Sequence, residues 1–328
     1  MRNLIFILLV TSLTACGQKK SENMKTVQDI YNIEKEIKHF DSKPQYGAYI
    51  STNNCSFDIF INDMPVIKHM DTSGSGLSGS YFPLNWDIAK KGSQKITIKL
   101  RPGFNQNANI LNETLQGNSE VQIKIVKSST NKDGSFGEEQ EVKNYFTPQK
   151  KIQNKQVATY DGLKTFEDHF TFNADVPYNI NTLETANVLL TKDEQALKTL
   201  EREVVAKYNE IRNIYMKGTK DELANLNYNK EKRVAQQLYF SDEEIKNRWD
   251  NDYQFRTDPN LEFFDLKPVE NYKMTFYANG KIVCLEKINN EKSALWGGFK
   301  KKDKDVVTTT YISLYLYRPQ NSSKLEIY

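Results

Sequence analysis

Cysteine and histidine are scarce in this sequence, at three residues each in 328. Three cysteines are too few for a disulfide scaffold or a four-thiolate zinc site. His39, His69 and His169 stand far apart without ligand-spaced neighbours, which argues against a histidine-built metal centre. Long apolar runs are missing too. The longest is Leu4–Val10, and a mean hydropathy of −0.68 leaves no room for a polytopic membrane protein. Neither sign of charge dominates: 45 Lys and Arg face 42 Asp and Glu, a net of +3, which is no electrostatic footprint for nucleic acid. Lysine outnumbers arginine 37 to 8, the bias that AT-rich codons produce. The lysine-rich run around Lys300, Lys301, Lys302 and Lys304 therefore reads as a solvated hairpin tip. What remains is ordinary for a folded body. Hydrophobic residues make up 38% and charged residues 27%, enough for a packed core in a chain long enough for two domains.

The N-terminus carries the most specific signal. Arg2 supplies a positive start, Leu4–Val10 is apolar, and small residues lead to Cys16. The apolar stretch is too short to span a bilayer, so it reads as a targeting segment. The tetrapeptide Leu13-Thr14-Ala15-Cys16 resembles the lipobox of bacterial lipoproteins. The resemblance covers about the first eighteen residues. It implies cleavage before Cys16, a diacylglycerol on the Cys16 sulfur and acylation of the new amino group. The implied place is the bacterial cell envelope, with the membrane as partner through acyl chains on Cys16. Gly17 in place of Asp after the cysteine implies the outer membrane where the organism has one. With Cys16 lipidated, Cys55 and Cys284 remain; two separate buried thiols is the simpler reading and a disulfide between domains the alternative.

Four segments follow from the pattern: a signal peptide over 1–15, a lipidated cysteine and tether over 16–44, a β-sandwich over 45–176 and an α+β domain over 177–328. A short helix around Val27–Ile37 fits inside the tether. Cys55–Ile61 alternates apolar and polar residues except at Phe60, Asn62-Asp63 makes a turn, and Ile96, Ile98 and Leu100 share one strand face. Val121–Val126 and Phe166–Phe172 alternate likewise, which predicts an antiparallel sandwich. Lys91-Gly92-Ser93 reads as a turn before a strand, and Asp175-Val176-Pro177 as the end of the last one.

Beyond about Asn181 the period becomes helical. Leu197, Leu200, Val204, Tyr208, Ile211 and Tyr215 fall on one face, and Lys217-Gly218 closes the helix. Thr191–Glu194, Thr219–Glu222 and Ser241–Glu244 each match a capping box. Ala278-Asn279-Gly280 between apolar runs signals a hairpin, and Lys324–Tyr328 a last edge strand. The fold class expected is α+β: an N-terminal antiparallel β-sandwich, then a helical cluster packed on a C-terminal antiparallel sheet.

Motifs for chemistry are thin. Gly74–Gly79 matches a dinucleotide fingerprint on paper, but Tyr81-Phe82-Pro83 is no helix start, so it reads as a loop. Glu167-Asp168-His169 lies in an alternating strand without a nucleophile elbow. No catalytic, cofactor-binding or metal-ligating residue is assigned. The aromatics Trp249 and Trp296 are the candidate partner-binding residues; core packing is the competing reading. The tether and sandwich would then hold the C-terminal domain away from the bilayer. The expected role is non-catalytic binding of a protein, peptide or glycan, or an immunity-type protective role. The alternative is an envelope hydrolase with its site assembled between the two domains.

Overall fold

The computed structural model describes residues 24–131, 135, 137–252 and 258–328. Cys16 and the lipobox lie outside the described residues. The described chain begins with helix α1 (Val27–Tyr31), capped by Thr26, and a 3-10 turn at Ile33–Glu36. Twelve strands follow: β1 (Pro44–Asn53), β2 (Cys55–Ile61), β3 (Met64–His69), β4 (Ser80–Pro83), β5 (Lys90–Pro102), β6 (Phe104–Asn105), β7 (Ile110–Leu111), β8 (Glu120–Ser129), β9 (Gln140–Phe146), β10 (Gln149–Ile152), β11 (Lys155–Ala158) and β12 (Phe166–Asn179).

Two open antiparallel sheets make the sandwich, with orders β4-β1-β8-β9 and β12-β5-β2-β3. Strand alternation explains the shared core. Ile96, Ile98 and Leu100 of β5 are buried while Lys95 and Lys99 face water. They meet Phe57 and Ile59 of β2 and Ile123 and Ile125 of β8. Each such side chain contributes about 1.5–3 kcal/mol by leaving water. Two local expectations are corrected. Gly92 lies inside β5, not in a turn before it. Strand β12 runs through Pro177 to Asn179. It is an edge strand with a register shift between Ala174 and Asn179, where proline's missing donor is tolerated.

The second half holds α2 (Thr182–Thr185), α3 (Glu194–Lys217), α4 (Lys220–Leu238) and α5 (Asp242–Asp252). Strands β13 (Leu261–Leu266), β14 (Tyr272–Tyr277), β15 (Ile282–Lys287), β16 (Trp296–Lys301), β17 (Thr308–Tyr311), β18 (Leu316–Tyr317) and β19 (Glu326–Ile327) complete it. They form open antiparallel sheets β13-β16-β17 and β14-β15-β18-β19. Helix α3 buries Leu200, Val204, Tyr208 and Ile211 against Leu266, Val283, Leu285, Leu295 and Leu316. The α+β layout is therefore as the sequence predicts. The caps of α4 and α5 are the predicted boxes, Thr219 with Glu222 and Ser241 with Glu244. The α3 cap differs: Asp193 accepts from Gln195 and Ala196 N–H, and Thr191 only braces Asp193. Aspartate two residues nearer the apolar face caps the first turn directly.

The stretch read as a tether is packed from its middle onward. Lys25 N–H donates to Asn225 Oδ1 and Val27 N–H to Asp221 Oδ1. Ile30, Ile33 and Ile37 are buried with Leu223, Tyr228, Ala235, Ile245 and Trp249 of α4 and α5.

Candidate functional site

The break in alternation at Phe60 locates the site. All seven residues of β2 are buried, because this strand, unlike its neighbour β5, is covered on both faces. Phe60 and Met64 pack on Tyr277, Ile282, Cys284, Tyr317 and Tyr328 of the second half. Two turns dock beside them. Asn62 and Asp63 form the β2–β3 turn, both with positive φ. Asp63 accepts through its carbonyl from Ala278 N–H and through Oδ2 from Asn279 N–H, at the tip of the β14–β15 hairpin.

A six-charge cluster spans this seam. Lys68 on β3 reaches both oxygens of Glu286 at 2.9 Å. Glu286, only 4% exposed, also accepts from the Tyr277 hydroxyl at 2.6 Å and the Thr275 hydroxyl at 3.1 Å. Arg101 on β5 forks onto Asp58 of β2 at 2.8 and 2.9 Å. Burial pushes the Asp58 carboxyl up, against the pull of Arg101. Glu291 joins the two pairs. It accepts from Lys273 at 2.6 Å and from Arg101 at 3.4 Å, and lies 3.9 Å from Lys68. Burial raises its pKa, but Lys273, Lys68 and Arg101 outweigh that and hold it below the usual carboxylate range. Its backbone has φ +56°, a left-handed conformation costing a glutamate about 1–2 kcal/mol.

Beside the cluster lies a cavity of about 350 Å³. Its walls are Val66, Ile67 and Lys68 on β3 and Ser313, Leu314 and Tyr315 ahead of β18. A fork in the sheet creates it. Strands β15 and β18 pair only at Ile282–Tyr317 and Val283–Leu316. Beyond that, the buried Tyr208 hydroxyl donates to Leu314 C=O and accepts from Leu285 N–H, both at 2.8 Å. This wedge from α3 satisfies both backbones while holding them apart.

Of the two candidate tryptophans, Trp249 and Trp296, one lies near this cleft. Trp296 is half-buried, stacks on Tyr311 at 6.2 Å and carries the Lys287 ammonium 3.6 Å over its ring. Tyr311, with Lys292 4.9 Å above it, lines the cavity. Trp249 is 1% exposed in the α1–α4–α5 core, so its assignment as a partner-binding residue is corrected to a packing role. Cys55 and Cys284 are both buried free thiols, and burial drives the Cys284 thiol well above its ordinary range. None of the three histidines lines the cavity. Sequence reading missed the cluster entirely; its one local trace is the apolar Phe60 on the polar face of β2.

The Lys68–Glu286 pair is testable by a double-mutant cycle. Lys68→Met leaves a buried carboxylate without its cation and is expected to cost about 3–5 kcal/mol in urea unfolding. Lys68→Met combined with Glu286→Leu recovers most of that loss. Additive losses contradict the pairing. Comparison with protein-family models, curated proteins and solved structures returns no match to this chain.

Proposed function

We propose that this chain is a membrane-anchored envelope lipoprotein with a non-catalytic binding or protective role, and that the cleft between its halves is the binding site. The lipobox-like Leu13–Cys16 supports the anchor. Among the described residues no helix is long and apolar enough to cross a membrane. From Cys16 to the packed Lys25 is nine residues, a reach of at most about 30 Å. An anchor there draws the helical cluster toward the bilayer, in place of the stand-off expected from sequence.

The observation that carries the binding reading is the cleft itself: a walled cavity whose charges are paired across the two halves and whose lining includes Tyr311, stacked on Trp296. Pairing of this kind fixes shape and selects ligands by complementarity. Masking of a toxin and capture of a peptide or glycan both fit such a cleft. The test is capture from envelope extract by the delipidated body. Ser313→Trp fills the cleft at an exposed position. It is expected to abolish capture with the melting temperature unchanged. Equal capture by both proteins, or specific capture by neither, contradicts the reading.

A further inference from the structure

We infer that Lys68, Arg101 and Lys273 form a carboxylate-binding site, occupied in this structure by the chain's own Glu291. The inference rests on reading the cleft as a binding site and names the chemical class it takes: an organic anion with one carboxylate.

Three observations converge. The cations come from three strands, β3, β5 and β14, and all lie within 3.9 Å of one carboxylate. That carboxylate reaches them from a turn residue in a left-handed conformation that most side chains avoid. Strain of this kind marks a group held in place by its surroundings. The site is also accessible. Glu291 and Lys68 line the cavity, and the side chains of Arg101 and Lys273 are 33% and 43% exposed.

Charge decides the ligand. Lys68, Arg101 and Lys273 face Asp58, Glu286 and Glu291, so the cluster is neutral. Withdrawal of Glu291 leaves one positive charge in excess, which suits a monoanion. Arg101 adds a planar fork, whose geometry matches carboxylate. Arg101 and Lys68 hold Asp58 and Glu286 at 2.8 and 2.9 Å, closer than they hold Glu291 at 3.4 and 3.9 Å, so those two carboxylates stay behind as the second wall. A ligand carboxylate entering the cavity exchanges with Glu291, whose backbone relaxes as it leaves. Pro65 and Lys68 on the cavity-side strand disfavour pairing of another strand there, so recognition falls to the ligand's charged group.

The test uses the full soluble body and acetate as probe. Glu291→Gly removes the carboxylate and suits the positive φ, so the turn is kept. Glu291→Asn, which also tolerates that conformation, serves as the second variant. Saturating acetate is expected to raise the melting temperature of either variant by about 2–4 °C beyond chloride at equal ionic strength. The wild type gains less than half as much, because Glu291 competes. Adding Arg101→Gln abolishes the acetate-specific rise. Equal rises with acetate and chloride, equal rises in wild type and variants, or a larger rise with phosphate overturn the assignment. The capture experiment separates the two readings. If the variants ignore acetate while Ser313→Trp still loses capture, the cleft binds by other groups and only the anion site falls.

Discussion

Trp249→Ala is expected to destabilise the fold by about 3–5 kcal/mol and to lower its melting temperature by roughly 10 °C. The ring is among the largest fully buried side chains and fills the space between α1, α4 and α5. Its neighbours Ile30 and Ile33 come from the segment ahead of the sandwich, so the cavity left behind loosens that segment as well. Trp296→Ala should behave differently. A half-buried ring stacked on one tyrosine contributes about 0.5–1.5 kcal/mol beyond its buried area. That variant should melt close to wild type and show weaker capture, through the loss of its contact with the cavity-lining Tyr311. Circular dichroism melts of the two proteins decide the matter. A Trp249→Ala protein that melts like wild type contradicts the assignment of that ring to the core.

The elements of this fold are local, and local pattern was enough to find them. Ile96, Ile98 and Leu100 alternate because one face of β5 is buried, and Leu200, Val204, Tyr208 and Ile211 repeat because one face of α3 is. Thr219 and Glu222 cap α4 within one turn, so a four-residue window contains the whole interaction. Asn279-Gly280 marks its hairpin for the same reason, since both residues adopt left-handed backbone there.

The site is non-local, and pattern could not reach it. Lys68 and Glu286 are 218 residues apart, and Arg101 and Glu291 are 190 apart. Nothing in either strand distinguishes these from solvated surface charges. Phe60 is the exception, because an apolar residue on the polar face is the local trace of a second covering layer. Pro177 misled for a related reason. Proline ends a central strand, yet β12 is an edge, and edge position is a property of the sheet. The segment after Lys25 looked like tether because its three isoleucines are too few for a core alone. They complete a core supplied by α4 and α5.

The most direct test of the account concerns Cys16, and its expected effect is the largest. Each buried methylene of an acyl chain contributes about 0.8 kcal/mol, so one chain binds marginally and two or more hold the protein on the membrane. Expressed in a bacterium that processes lipoproteins, wild-type protein should incorporate radiolabelled palmitate and sediment with the membrane fraction. Cys16→Ser should lose the label and leave the membrane fraction, while its folded body melts as before. A wild-type protein without label, or a Cys16→Ser protein that keeps both label and membrane association, contradicts the anchor and the envelope role built on it.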